Sequence, residues 1–166
     1  MTDVGTSGED ERVTLTGQVI LDAASHYPPM IVGHCYDSAE ILAGVYSELR
    51  TADGIRSAKL PGDEKQRRIE HGWCVKQDGT IIDAVFAEEI MNDPELDPAA
   101  ITVTYIELIQ SQATGSGRPG VLRDEIRRRA RQATPPLVSP QRRWKFAEKE
   151  RDKFKRWHEG NGRKGS

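Results

Sequence analysis

The chain has 166 residues, with 24 Lys+Arg, 26 Asp+Glu, four His and two Cys, a length that fits one domain plus tails. Its longest apolar stretches fall far short of the roughly 18 residues of a membrane span, and two cysteines are too few for a disulfide scaffold. The acidic, polar start lacks the basic beginning and apolar centre of a signal peptide, so a cytoplasmic location is expected.

Residues 1–11 are predicted to be disordered. Val13 and Leu15, with Gln18-Val19-Ile20-Leu21, predict a short strand. Ser25-His26-Tyr27-Pro28-Pro29 reads as a loop, because two prolines remove two donors and fix φ. Asp37–Leu49 reads as a helix: Ala39, Leu42, Val45, Tyr46 and Leu49 recur at helical spacing and form one apolar stripe. Thr51–Gln66 is polar, contains Gly54, Pro61 and Gly62, and is expected to be an exposed excursion.

Two strands are predicted next, Ile69–Lys76 and Thr80–Phe86, joined around Asp78-Gly79, a hairpin signal. A two-residue loop would put His71 and Asp83 on opposite faces. A three-residue loop with Gly79 in the left-handed conformation pairs Lys76 with Thr80. It gathers His71, Trp73, Val75, Ile81, Asp83 and Val85 on one face, and Gly72, Cys74, Lys76, Thr80 and Ile82 on the other. The second register separates apolar from polar better and is preferred. A short helix is expected within Ala84–Met91, and Ile101–Ile109 alternates as a strand.

Charge marks a boundary near residue 110. Residues 1–110 hold 8 basic and 20 acidic side chains, a balance of −12, and residues 111–166 hold 16 and 6, a balance of +10. The expected organisation is therefore an α+β domain over 12–110, a flexible Gly/Ser-rich linker over 111–120 and a basic helical extension over 121–166. In that extension Val121–Gln132 reads as a helix, Thr134-Pro135-Pro136 breaks it, and Ser139-Pro140 opens another. The last helix has an apolar stripe at Trp144, Ala147, Phe154 and Trp157.

Cys35 opens the first long helix, where the positive end of the macrodipole and free N–H groups favour a thiolate and can stabilise an oxyanion. A His beside it can take and return the proton, and a carboxylate behind the His can hold its tautomer. His71 and Asp83 are the candidates, diagonal to one another on the preferred hairpin face. The two His-Cys pairs, His34-Cys35 and His71 with Cys74, also suggest a tetrahedral zinc site. However, His71 and Cys74 fall on opposite strand faces, and no metal is assigned.

Gly33-His34-Cys35-Tyr36-Asp37-Ser38-Ala39 leading into a helix, then His71-Gly72-Trp73, then Asp78-Gly79-Thr80-Ile81-Ile82-Asp83, resembles the papain-like and transglutaminase-like cysteine superfamily over about residues 33–86. The resemblance implies a Cys35-bearing helix packed on a small antiparallel sheet. It implies Cys35 as nucleophile, His71 as general base and acid, and Asp83 as the orienting group, with no cofactor required. Gln18 is the upstream candidate for an oxyanion donor. Trp73, Tyr36 and His34 are the candidates for contact with a peptide or amide substrate.

The basic extension mixes cations and aromatics. Arg127, Arg128, Arg129, Arg142, Arg143, Trp144, Lys155 and Arg156 are candidates for contact with nucleic acid or an acidic protein. Docking of the extension on the acidic first domain is the competing expectation. Two functions are thus expected: cysteine-based acyl chemistry, or a non-catalytic protein that binds nucleic acid or an assembly through its basic end.

Overall fold

The computed structural model describes residues 12–108 and 120–165. In chain order the elements are β1 (Arg12–Thr16), α1 (Gly17–Ala24), α2 (Cys35–Val45), β2 (Leu49–Lys59), β3 (Arg67–Lys76), β4 (Ile81–Ile82), α3 (Ala84–Met91), β5 (Thr102–Glu107), α4 (Val121–Arg131) and α5 (Pro140–Gly165). The five strands form one antiparallel sheet in the order β1-β5-β2-β3-β4. The chain is thus an α+β protein, as expected.

Helices cover both faces of the sheet. Ile20 and Ala24 of α1 and Phe86, Ala87 and Ile90 of α3 pack with Ala52, Trp73, Val75, Ile81, Val103 and Tyr105. On the opposite face α2 brings Ala39, Leu42 and Ala43 together with Cys74 and Ile82. Each face therefore buries the apolar half of an alternating strand pattern.

The β3–β4 hairpin has the three-residue loop. Cys74 pairs with Ile82, Val75 with Ile81, and the Lys76 N–H donates to the Thr80 carbonyl at 2.9 Å. Gly79 sits at φ +92°, which an L side chain adopts only with strain. Chain entry into α2 depends on a second glycine: a Cβ at Gly72 would lie 2.8 Å from the Tyr36 ring.

Several local expectations are corrected. Gln18–Leu21 is helical: Thr16 accepts the Val19 N–H at 3.3 Å and caps α1, and this local bond outweighs the β-branched content. Thr51–Gln66 is not an exposed excursion, because most of it is β2, which lies between β5 and β3. Ala52, Gly54, Arg56 and Ala58 are inward-facing and small except for Arg56, so the strand is buried without looking apolar. Thr80–Phe86 is strand only at Ile81–Ile82; Asp83 then accepts the Phe86 N–H and starts α3. The first long helix begins at Cys35 and ends at Val45, earlier at both ends than its apolar stripe suggests.

The expected disordered segment 1–11 and residues 111–119 of the expected linker lie outside the described residues. Beyond them, the two basic helices pack on α2. Ile126 of α4 and Ala147 of α5 belong to its apolar cluster. The buried Glu40 of α2 accepts the N–H groups of Gly120 at 3.0 Å and Arg123 at 2.9 Å, so a side chain of α2 caps α4. Among the described residues no helix is long and apolar enough to cross a membrane.

Candidate active site

Cys35 is the first residue of α2 and is partly exposed. The first N–H groups of a helix have no intrahelical acceptor, and His34 makes no side-chain capping bond here. The sulfur thus shares the helix mouth with free backbone donors and the positive end of the dipole.

His71 lies on β3 opposite Gly54 of β2. On its other side β4 has already ended at Ile82, which leaves the sheet open at the level of the ring. His71 and Asp83 are each 1% exposed. The ring Nε2 meets Asp83 Oδ2 at 2.8 Å, and Cys35 lies near enough to the ring to favour its charged form. With Nε2 committed to Asp83, Nδ1 is the ring atom left for the thiol.

Asp83 is fixed by more than the imidazole. Its Oδ2 accepts the Tyr105 hydroxyl at 2.7 Å, and its Oδ1 accepts the Phe86 N–H at 3.1 Å. A buried carboxylate with three donors is held ionised and in one orientation. Burial pushes the Asp83 carboxyl up, but the charge and hydrogen bond of His71, with those from Tyr105 and Phe86, bring it below its ordinary value. Burial likewise pulls His71 down. The Asp83 charge and hydrogen bond, with a smaller contribution from Cys35, outweigh it and raise the imidazole to about 9. Tyr105 is raised well above its ordinary value by burial and by Asp83.

The structure therefore brings Cys35, His71 and Asp83 together. The other candidates are placed differently. Trp73 is 2% exposed and cannot face a substrate; it lies 6.2 Å from the His71 ring, nearly parallel, and edge-on to Tyr105 at 5.0 Å. Tyr36 is half-buried beside Cys35, and burial, with the Cys35 charge, pushes its hydroxyl up to about 12. His34 turns toward α5, with its ring 4.3 Å from that of His158 and 5.7 Å from that of Phe154. Gln18 is exposed on α1 and donates to Asp22 at 2.9 Å, away from the site.

Cys74 is buried under α2, donates to the Ala39 carbonyl at 3.2 Å, and has its thiol pushed up by burial. Among the described residues no three His, Cys, Asp or Glu side chains are grouped to hold a metal. The space enclosed by Cys35, Gly72, Trp73 and Asp83 is no larger than a water molecule, so the sulfur is reached from its exposed side. A larger apolar groove of about 780 Å³ runs between α2, α4 and α5 but includes none of the three site residues.

Two residues near the site were not foreseen. Tyr105 was legible only as an inward position of an alternating strand. Arg56, 6% exposed, lies on β2 opposite Tyr105, with its guanidinium 4.2 Å above the Phe86 ring and 3.9 Å from Glu89. Its positive charge opposes protonation of His71.

Of the basic candidates, Arg127 donates to the Ala43 carbonyl, Arg128 pairs with Glu125, and Arg129 pairs with Glu125 and Glu150. Arg143 lies 3.7 Å from Glu48, and Trp144 is half-buried. Arg142, Lys155 and Arg156 are exposed. No family model, curated protein or solved structure matches the chain.

Proposed function

We propose that the chain is a cysteine-dependent enzyme of papain-like or transglutaminase-like type, acting at an amide, peptide or thioester carbonyl. The observation that supports this most is the buried hydrogen-bond chain from Tyr105 through Asp83 to His71, with the Cys35 thiol beside it at the mouth of α2.

In this reading the proton shared by Cys35 and His71 already sits on the ring, and the sulfur attacks the carbonyl carbon as a thiolate. The carbonyl oxygen becomes an oxyanion, opposite the free N–H groups at the start of α2. The imidazolium then gives its proton to the departing nitrogen or sulfur as the tetrahedral species collapses to a thioester on Cys35. Water or another nucleophile, deprotonated by His71, attacks that thioester and releases Cys35 as the thiolate. Asp83 keeps the ring oriented and stabilises its charged form throughout. Trp73 and Tyr105 fill the space behind the ring, so the imidazole has one direction in which to work.

Alkylation by iodoacetamide at neutral pH tests this without a known substrate. Cys35 is expected to react roughly tenfold or more faster than Cys74, and His71→Ala to slow Cys35 by a similar factor. Asp83→Asn is a second probe of the same ring. Circular dichroism on each variant separates loss of reactivity from loss of fold. Equal, slow alkylation of both thiols, or a Cys35 rate indifferent to His71 in a folded variant, overturns the assignment.

A further inference from the structure

α5 is amphipathic in an unusual way. Its inward face carries Ala147, Phe154 and the buried Glu150, which is paired with Arg129. Arg142, Lys145, Lys149, Lys153 and Arg156 are all exposed. At 3.6 residues per turn these five fall within an arc of about 80°, opposite the buried face, and run along about 21 Å of helix. The acidic residues Glu148, Asp152 and Glu159 collect on one flank, outside that arc. Of the five cations only Lys153 has an acidic partner among the described residues, Glu150 at 3.6 Å. Of the α4 cations, Arg127 and Arg129 are turned to contacts with α2 and α5, and Arg128 pairs with Glu125 on the same helix.

A charge row of this kind fits a linear polyanion, because successive cations stand about 4–6 Å apart along a rigid axis. A membrane surface suits it poorly. Interfacial helices bind by inserting an apolar face beside their basic one, and here Phe146, Ala147 and Phe154 of that face pack on the α2 cluster. Trp157, 63% exposed and next to Lys153 on the helix surface, offers a platform for a base.

We propose that the outward face of α5 binds the phosphate backbone of nucleic acid without reading sequence. The residues that carry the contact are Arg142, Lys145, Lys149, Lys153 and Arg156, with Trp157 stacking where a base is unpaired. This replaces Arg127, Arg128, Arg129 and Arg143 in the sequence-based set, since Arg127, Arg129 and Arg143 are engaged with other parts of the fold and the charge of Arg128 is paired with Glu125. The inference stands apart from the cysteine chemistry.

The test is fluorescence anisotropy of the full chain with a labelled 20-nucleotide strand and with its duplex, over a salt series. Binding is expected at low salt for unrelated sequences, with a slope of log K against log salt of about −3 to −5 for five contacts. The variant K145E/K149E/R156E is expected to bind roughly tenfold or more weakly, while its circular dichroism and Cys35 alkylation stay unchanged. No binding at low salt, or binding that the triple variant leaves intact, overturns the proposal. So does tighter association with phosphatidylserine vesicles or with poly-glutamate than with either oligonucleotide.

Discussion

A carboxylate that is fully buried must find donors for both oxygens or give up its charge. Asp83 finds three, and one of them, the Tyr105 hydroxyl, comes from β5, three places from β4 in the sheet. Tyr105→Phe is expected to cost about 1–2 kcal/mol, measured by urea unfolding at neutral pH, because a buried anion loses a donor. Asp83 contributes stability above its ordinary value and loses it as pH falls through its depressed one. Removing Tyr105 raises the depressed value, so acid unfolding of the variant is expected to begin at higher pH than in the parent. Cys35, His71 and Asp83 were legible in the sequence because each has a local signature: a helix mouth, a strand and a hairpin end. Tyr105 and Arg56 were not. Strand alternation says which face a side chain takes, but only strand order says which side chains meet there.

At the level of elements, the hardest strand to read was β2. A central strand is usually recognised by bulky β-branched residues, yet β2 turns Ala52, Gly54 and Ala58 inward. The space they leave is filled by Trp73, His71 and Tyr105 from its neighbours, so the polar look of β2 is a consequence of the site beside it. The hairpin, in contrast, was readable to the register, because only one loop length keeps apolar and polar positions on separate faces. The docking of α4 was not readable, since it depends on a glycine and a glutamate that look unremarkable in sequence. A Cβ at Gly44 would lie 2.8 Å from Ile126, so α2 and α4 meet almost backbone to backbone. Gly44→Val is expected to destabilise by about 1–3 kcal/mol through overpacking, despite the better helix propensity of a non-glycine residue. Glu40→Ala is expected to cost about 1–3 kcal/mol, since it strips two N–H groups at the start of α4 of their acceptor. Thermal unfolding of both variants checks these values, and a change within error for both would mean that α4 adds nothing to the fold.

For the molecule as a whole, the buried imidazole ties stability to pH. His71 is raised in the folded chain to about 9 from an ordinary 6.5. Its contribution is complete below about 6.5 and is lost as pH rises toward 9, by about 3 kcal/mol at 1.36 kcal/mol per unit. Urea unfolding at pH 6 and pH 9 should show that fall, and His71→Gln should flatten it. The charge asymmetry of the chain has a three-dimensional counterpart. Part of the basic half is consumed in holding α4 and α5 to the rest of the fold, and a row of five cations is gathered on the outer surface of α5. The carboxylate–imidazole–thiol relay at the mouth of α2 is the centre of the account. NMR titration of the His71 ring in the parent, in Asp83→Asn and in Cys35→Ala probes it most directly. His71 is expected to keep its proton past pH 8 in the parent, to lose it at markedly lower pH without the Asp83 carboxylate, and to shift again when the thiol is removed. A His71 ring that titrates near 6.5, or one that responds to neither substitution, would contradict it.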